Sequence, residues 1–292
     1  MNPFRGAGVA LVTPFNEKLD IDFSALKKLV EFQISSGTDY LVVMGTTGES
    51  ATLDEAEKKA VLDYVIEVNN KRLPIVLGLG GNNTKALSEK LSKSDLSKVD
   101  GILSVSPYYN KPSQEGIYLH YKELSQASSK PLILYNVPGR TSSNITSEIT
   151  LRLAHDFKNI VAVKEASGNL EQVMHIIKNR PKDFLVLSGD DALTFPIICC
   201  GGDGVISVVA NAFPKKFKEM VSHLFHNDLA KAREIQYSLL DVIHNLYVDG
   251  NPSGIKEALQ YINICKNYVR LPLTNVTSKT KEKLIKAIDD HN

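Results

Sequence analysis

A lysine ends an apolar stretch of the sequence. The run IVAVKEASGN, residues 160–169, begins with four apolar residues, continues with Lys164 and Glu165, and closes in a Ser-Gly-Asn turn. A lysine buried at a strand end loses hydration, so its pKa falls and more free amine is present at neutral pH. A neutral amine attacks a carbonyl carbon and forms a Schiff base. Lys164 is therefore a candidate covalent catalyst.

A tyrosine lies at the end of the preceding apolar run. Strand alternation puts Lys164 on one face with Ala162, and Tyr135 on one face with Ile133. A tyrosine hydroxyl near the amine can carry the protons that Schiff-base chemistry requires. The residues alone leave alternatives open: Lys164 could reach solvent or pair with a carboxylate, and Tyr135 could belong to the core.

Short apolar runs that read as strands recur along the whole chain. Their interiors are almost entirely apolar, as in parallel strands covered on both faces. They are VALVTPF (9–15), YLVVMGTTGES (40–50), PIVLGLGG (74–81), GILSVSPYYN (101–110), PLILYNVPGRT (131–141), IVAVKEASGN (160–169), FLVLSGDD (184–191) and GVISVVANAF (204–213).

Segments with helical spacing alternate with these runs. In residues 22–37 apolar side chains recur every three or four residues, with Asp22 as the expected N-cap and Gly37 as the expected end. In residues 53–70 the pattern predicts a buried face through Ala56, Ala60, Tyr64 and Val68. This alternation predicts an α/β fold, a (β/α)8 TIM barrel with a small C-terminal helical region; a doubly wound sheet is the alternative.

The expected boundary divides a barrel, residues 1–226, from the C-terminal helical region, residues 227–292. Helical patterns in that region cover residues 229–247, 252–263 and 278–292. No linker or low-complexity segment separates the two parts, so the helical region is expected to be an appendix to the barrel.

Composition and charge argue against several classes of protein. Hydrophobic residues make up 43% of the 292 residues, enough for a large core, and 34 Lys+Arg balance 33 Asp+Glu. That balance argues against a nucleic-acid partner, and no apolar run approaches the roughly 18 residues of a membrane span.

Three cysteines form no disulfide framework, which favours a cytoplasmic location. GLGGNN lacks the dinucleotide-binding spacing, and His223 and His226 have no third ligand nearby, so no cofactor or metal is expected.

Five motifs in a fixed order carry a resemblance that is more specific than any single residue. GTTGES (45–50), SPYYNKPSQEG (106–116), YNVPGRT (135–141), VKEASGNL (163–170) and LSGDD (187–191) closely resemble signatures of the dihydrodipicolinate synthase / N-acetylneuraminate lyase family. The resemblance extends over nearly the whole chain. It implies a (β/α)8 barrel and a role for each matching position.

Four of these roles are catalytic. By resemblance, Lys164 forms the Schiff base with pyruvate and Tyr135 transfers protons. Thr46 links Tyr135 by hydrogen bonding to Tyr109, whose counterpart comes from a neighbouring subunit. The resemblance thus implies a homo-oligomer, a tetramer arranged as a dimer of dimers.

The remaining roles concern substrate binding. The resemblance implies that Thr47, with the Thr46 backbone, holds the pyruvate carboxylate, and that Gly189 and Ile206 line the pyruvate pocket. Arg140 would bind the carboxylate of the second substrate, L-aspartate 4-semialdehyde, which a guanidinium fork suits.

Arg140 favours one of three functions. The first is a lyase that condenses pyruvate with L-aspartate 4-semialdehyde to 4-hydroxy-tetrahydrodipicolinate, the first committed step of diaminopimelate and lysine biosynthesis. The second is a pyruvate-dependent aldolase acting on a sugar acid such as N-acetylneuraminate, whose relatives generally lack this arginine. The third is a silent barrel, which should have lost the lysine or the tyrosines.

The resemblance also points to an effector cleft where the chain departs from lysine-sensitive members. Ala86 stands where those members carry a glutamate for the ammonium of lysine, and Glu55 and Lys58 stand where they often carry histidines. Weak or absent inhibition by lysine is therefore expected. The matching positions are Ser50, Ala51, Glu55, Lys58, Asn82, Ala86 and Tyr108.

Overall fold

The computed structural model describes residues 2–290 of the chain. Its strands are parallel and form a closed barrel in chain order, so the expected (β/α)8 fold is confirmed. Helices follow the strands and continue into the C-terminal region. The strands are β1 Gly6–Ala10, β2 Tyr40–Val43, β3 Ile75–Gly78, β4 Gly101–Val105, β5 Leu132–Asn136, β6 Ile160–Glu165, β7 Leu185–Ser188 and β8 Gly204–Ser207.

Helices connect these strands and complete the C-terminal region. The expected helix at residues 278–292 is present as far as Asp289, and residues 291 and 292 lie outside the described part of the chain. The helices are α1 Phe23–Ser35, α2 Glu55–Asn69, α3 Thr84–Lys93, α4 Gln114–Ala127, α5 Pro138–Thr141, α6 Ser147–Asp156, α7 Leu170–Asn179, α8 Thr194–Cys199, α9 Pro214–Phe225, α10 Leu229–Tyr247, α11 Ser253–Tyr261 and α12 Ser278–Asp289.

Both ends of the first helix lie where the sequence predicts them. The Asp22 side chain accepts a hydrogen bond from the Ala25 backbone N–H and satisfies one of the unpaired donors at the start of α1. After the helix, Gly37 adopts φ +82°, a left-handed conformation that a glycine reaches without steric cost. Both ends of α1 are therefore encoded by local residues.

The buried face of α2 differs from its prediction. Ala56 and Ala60 are exposed, whereas Val61, Val65 and Asn69 are the buried residues of the helix. Tyr64 of the expected face is half-buried, and its ring packs edge-on against Phe23 of α1 with 5.0 Å between the ring centres. The expected face was wrong at the two alanines, whose small side chains contribute little apolar area to burial.

The chain divides into two compact units that interleave along the sequence. The first unit contains Pro74–Ile206, with β3 to β7. The second contains Gly6–Leu73 and the chain from Ser207 onward, so it joins β1, β2, α1 and α2 to α9–α12. The boundary expected at residues 226 and 227 falls between α9 and α10, and it stays a prediction.

Candidate active site

Lys164 and Tyr135 lie side by side on neighbouring strands. In the β5–β6 register Tyr135 is the direct partner of Lys164, and partners in a parallel sheet share a face. The Lys164 Nζ lies 4.4 Å from the centre of the Tyr135 ring. Lys164 is 5% exposed and Tyr135 is 8% exposed. The fold therefore brings Lys164, predicted to react, next to Tyr135, predicted to transfer protons. Both side chains are buried.

Burial changes the ionisation of the Lys164 amine. Desolvation lowers the pKa of Lys164 from 10.5 to about 8, because a buried ammonium loses its hydration. The carboxylate of Asp191 acts in the opposite direction and raises this pKa, and the Arg140 guanidinium lowers it further. The result is an amine that is partly neutral near physiological pH, as a Schiff-base nucleophile requires.

Gly189 leaves room for the lysine side chain. A Cβ at this position would lie 2.8 Å from the Ala166 Cβ and 3.0 Å from both Cγ and Cε of Lys164. Any larger residue would push Lys164 aside. The predicted pocket residue Gly189 therefore has a steric task that the sequence motif did not reveal.

A buried carboxylate follows Lys164 in β6. Glu165 is 1% exposed, and its carboxylate accepts hydrogen bonds from Asn136 Nδ2 at 3.0 Å, the Ser167 backbone N–H at 2.7 Å and Gln172 Nε2 at 3.0 Å. In the strand register Glu165 is the direct partner of Asn136. These bonds tie the ends of β5 and β6 together and thereby fix the strand positions that carry Tyr135 and Lys164.

Two acidic residues of the site had no role in the sequence motifs. Glu165 and Asp191 are both buried, and Asp191 follows the β7 strand that pairs with β6. A buried carboxylate is uncommon enough to mark a functional neighbourhood. The sequence signal was available, since Glu165 ends an apolar strand and Asp191 closely follows one, but the Glu165 partner Asn136 is 29 residues away in the chain.

Arg140 lies on a short helix at the end of β5. The helix α5 starts at Pro138, directly after Val137, and its C-cap residue Ser142 is left-handed with φ +55°. The guanidinium is exposed, as an arginine that meets an incoming carboxylate would be. Its positive charge lowers the pKa of Lys164.

The turn that carries Thr46 and Thr47 belongs to the second unit. It is a 3-10 turn, Thr46–Gly48, in which Thr46 is exposed and Thr47 is 3% exposed. Thr13 Oγ1 donates to the Gly48 carbonyl at 2.7 Å, and Asn251 Nδ2 donates to Thr47 Oγ1 at 3.0 Å. The threonines of GTTGES thus sit in a turn held by side chains from distant parts of the chain.

Glu49 closes this turn and forms a buried ion pair. Its backbone is left-handed, with φ +53°, and its side chain pairs with the ammonium of Lys256. Lys256 also donates to the Tyr268 carbonyl at 2.8 Å, and the Arg270 backbone N–H donates to Glu49 at 3.0 Å. Breaking a buried pair of this kind costs about 3–5 kcal/mol because one charge is left uncompensated.

The remaining predicted residues fall into buried and exposed groups. Ile206 is 1% exposed within β8, whereas Tyr109 is 88% exposed on the loop after β4 and has φ +73°. The contact with another subunit that the resemblance implies for Tyr109 stays a prediction. Among residues 2–290, no cluster of three or more His, Cys, Asp and Glu side chains could hold a metal ion.

The predicted effector residues lie in both units. In the second unit Ser50 and Ala51 follow Glu49, and Lys58 Nζ contacts the Glu55 carboxylate at 2.9 Å. In the first unit Asn82 Nδ2 donates to the Tyr108 carbonyl at 3.2 Å, and Ala86 is exposed on α3. The Glu55 carboxylate is therefore already paired with a lysine of this chain.

Comparison with known proteins shows the family. The model of the dihydrodipicolinate synthetase family matches residues 3–291. A 4-hydroxy-tetrahydrodipicolinate synthase of Flavobacterium psychrophilum is 50% identical over 284 residues, which cover 97% of each chain.

Solved structures agree with this sequence relationship. A dihydrodipicolinate synthase of Cyanidioschyzon merolae with lysine bound has a TM-score of 0.95 and 37% identity, covering all of this chain and 99% of that one. A monomeric dihydrodipicolinate synthase variant has a TM-score of 0.96 and 38% identity, covering 99% and 97%. The chain belongs to the dihydrodipicolinate synthetase family.

Proposed function

We propose that this enzyme condenses pyruvate with L-aspartate 4-semialdehyde to give 4-hydroxy-tetrahydrodipicolinate, which opens diaminopimelate and lysine biosynthesis. The observation that carries the proposal is the buried Lys164 amine, with a pKa of about 8, in direct register with Tyr135. The name of the Flavobacterium psychrophilum relative supports the same reaction.

The chemistry begins at Lys164. The neutral amine adds to the keto carbon of pyruvate, Tyr135 supplies a proton to the oxygen that departs as water, and an imine forms. Loss of a methyl proton then gives an enamine, whose carbon attacks the aldehyde carbon of the second substrate and restores an imine at Lys164. The amino group of the second substrate then adds to the imine carbon, the bond to Lys164 Nζ breaks, and the cyclic product leaves with the lysine free again. Thr47 and the Thr46 backbone bind the pyruvate carboxylate, with Gly189 and Ile206 along the pocket.

Arg140 selects the second substrate. Its exposed guanidinium offers paired N–H donors to the carboxylate of aspartate semialdehyde. A sugar-acid aldolase has a polyhydroxylated partner at this place, which a charged fork does not suit as well. The alternative acting on N-acetylneuraminate is therefore the weaker candidate.

We also propose that the enzyme acts in the cytoplasm as a homo-oligomer, a tetramer built from dimers. Cys199, Cys200 and Cys265 are all free, which suits a reducing compartment. Among residues 2–290, none of the helices has the length and apolar character to cross a membrane. The exposed Tyr109 supplies the reason to expect a partner subunit.

Two measurements test the proposal. Pyruvate consumption is followed with aspartate semialdehyde and, side by side, with N-acetylmannosamine; turnover is expected with the semialdehyde. Borohydride with pyruvate should add one pyruvate-derived mass at Lys164, and Lys164→Ala should abolish the adduct. Preferred turnover of N-acetylmannosamine would overturn the substrate, and an equal adduct on the Ala variant would overturn the Schiff base.

A further inference from the structure

Asn251 contacts the threonine turn from the C-terminal region. It precedes α11, is 7% exposed, and donates from Nδ2 to Thr47 Oγ1 at 3.0 Å. Its other polar atom, Oδ1, is buried and accepts no hydrogen bond from any residue between 2 and 290. A buried amide with an unpaired oxygen lowers the free energy of unfolding, so stability alone does not account for an asparagine in contact with Thr47.

The contact determines what the Thr47 hydroxyl can do. A threonine hydroxyl carries one proton to donate and two lone pairs that accept. Because the Asn251 N–H occupies a lone pair, the Thr47 proton remains available, and none of the described residues accepts it. An acceptor supplied by a ligand, such as a carboxylate oxygen, would complete the group.

The helix that follows Asn251, α11, is anchored by contacts of its own residues. Ser253 Oγ donates to the Thr274 carbonyl at 2.6 Å, and Lys256 pairs with Glu49 at the other end of the turn. A Cβ on Gly254 would lie 2.1 Å from the Leu246 carbonyl oxygen, so α11 touches the end of α10 backbone to backbone. The C-terminal region therefore reaches both Thr47 and Glu49.

We propose that Asn251 is a positioning residue: it occupies a lone pair of Thr47 so that the Thr47 proton is directed to the carboxylate of the keto-acid substrate. The inference rests on the proposed function, in which Thr47 binds that carboxylate. Its consequence is that the C-terminal helical region contributes to pyruvate affinity through Asn251 without touching the substrate.

Asn251→Asp and Asn251→Ala test the direction of this hydrogen bond. An aspartate is isosteric but only accepts, so it takes the Thr47 proton away from the substrate and adds a negative charge near it. We expect the KM for pyruvate to rise about tenfold in the Ala variant and further in the Asp variant. The KM for aspartate semialdehyde should change by less than about twofold.

The readouts separate positioning from general destabilisation. The apparent pyruvate affinity from borohydride trapping is measured with the melting temperature, and Asn245→Ala is the matched control. Asn245 is a buried asparagine of α10 that also donates one hydrogen bond, to the Asp241 carbonyl at 2.8 Å. The control should lose stability to a comparable extent but keep the pyruvate affinity.

A double-mutant cycle tests whether Asn251 acts through Thr47. With Thr47→Val, which removes the hydroxyl, the further change Asn251→Ala should leave pyruvate affinity unchanged. Additive losses, or an Asp variant that binds pyruvate as tightly as the unmodified enzyme, would overturn the inference. If the Ala variant does not fold, the isosteric Asp variant decides alone. Failure of the unmodified enzyme to form a pyruvate adduct would instead overturn the proposed function.

Discussion

The Lys164 amine connects burial to reactivity through its protonation state. Desolvation has the largest effect on its pKa; the Asp191 carboxylate raises that pKa and the Arg140 guanidinium lowers it. Since only the neutral amine attacks pyruvate, the pKa of about 8 sets how much of the enzyme is ready to react. The same residue on an exposed loop would be almost wholly protonated at pH 7.

The rate of pyruvate addition should therefore follow the titration of Lys164. We expect kcat/KM for pyruvate to rise about tenfold per pH unit below pH 8 and to level off above it. Asp191→Asn removes a charge that favours the ammonium, so the profile should shift to lower pH. A profile that climbs steadily past pH 9 in the unmodified enzyme would contradict the lowered pKa.

Arg140 determines affinity for the aldehyde in the proposed reaction. Arg140→Ala should raise the KM for aspartate semialdehyde at least about tenfold, the effect of losing a charge-assisted hydrogen bond, and affect the KM for pyruvate much less. Arg140→Lys keeps the charge but loses the fork, so its effect should be intermediate. Steady-state kinetics with each substrate varied in turn gives the answer, and an unchanged semialdehyde KM would remove Arg140 from the substrate site.

At the scale of elements, the ends of β5, β6 and β7 form a connected unit around Lys164. Gly189 N–H donates to the Glu165 carbonyl at 2.8 Å, and the Glu165 side chain holds Asn136. Backbone and side-chain bonds therefore fix the three strand ends in the same register. The reactive amine depends on these strands for its direction.

Gly189→Ala should displace Lys164 without unfolding the barrel. The new Cβ would come within 3.0 Å of the Lys164 side chain, so we expect kcat to fall by more than about tenfold. Gly81→Ala is the control, since a Cβ there meets Leu87 at an ordinary 3.5 Å. Circular dichroism and the yield of borohydride adduct distinguish a displaced lysine from an unfolded chain. Full activity in the Gly189 variant would refute the steric role.

The helices of the predicted effector cleft argue for weak feedback. The Glu55 carboxylate is paired with Lys58 at 2.9 Å, and Ala86 provides no carboxylate on α3. We expect half-inhibition by lysine only above about a millimolar, which corresponds to roughly −4 kcal/mol of binding. Activity is titrated with lysine at subsaturating pyruvate.

A glutamate introduced at position 86 should make the enzyme more sensitive to lysine. Ala86→Glu should lower the half-inhibiting lysine concentration about tenfold by supplying a partner for the ammonium, whereas Ala86→Gln should not. Sub-millimolar inhibition of the unmodified enzyme would show that another group has replaced the missing glutamate.

At the scale of the whole molecule, the exposed Tyr109 bears on assembly. It is 88% exposed, although the proposed relay gives it a partner subunit. We expect sedimentation at assay concentration to show at least a dimer. Tyr109→Phe should lower kcat about tenfold without changing the melting temperature, and Tyr237→Phe, a matched exposed tyrosine on α10, should do neither. A fully active monomer would contradict the relay.

Local sequence features predicted much of this fold. Apolar runs separated by helical spacing were enough for the alternating architecture, and Asp22 was recognisable as a cap because capping involves residues only three apart. The juxtaposition of Lys164 and Tyr135 followed from strand alternation and the order of the strands. The division of the chain at residues 226 and 227, and the roles of the site residues, stay predictions.

Only the tertiary structure decided the contacts that hold the site in place. The burial of Val61 and Val65 in α2 was visible only in the folded chain, and the register that sets Glu165 against Asn136 required the sheet. Asn251 and Thr47 are 204 positions apart, and Lys256 and Glu49 are 207 apart. Periodicity and capping act over a few residues, whereas a buried polar group is satisfied by whatever the fold brings near it. The sequence by itself therefore determined the alternation of strands and helices, and the fold determined which partners surround the residues predicted to react.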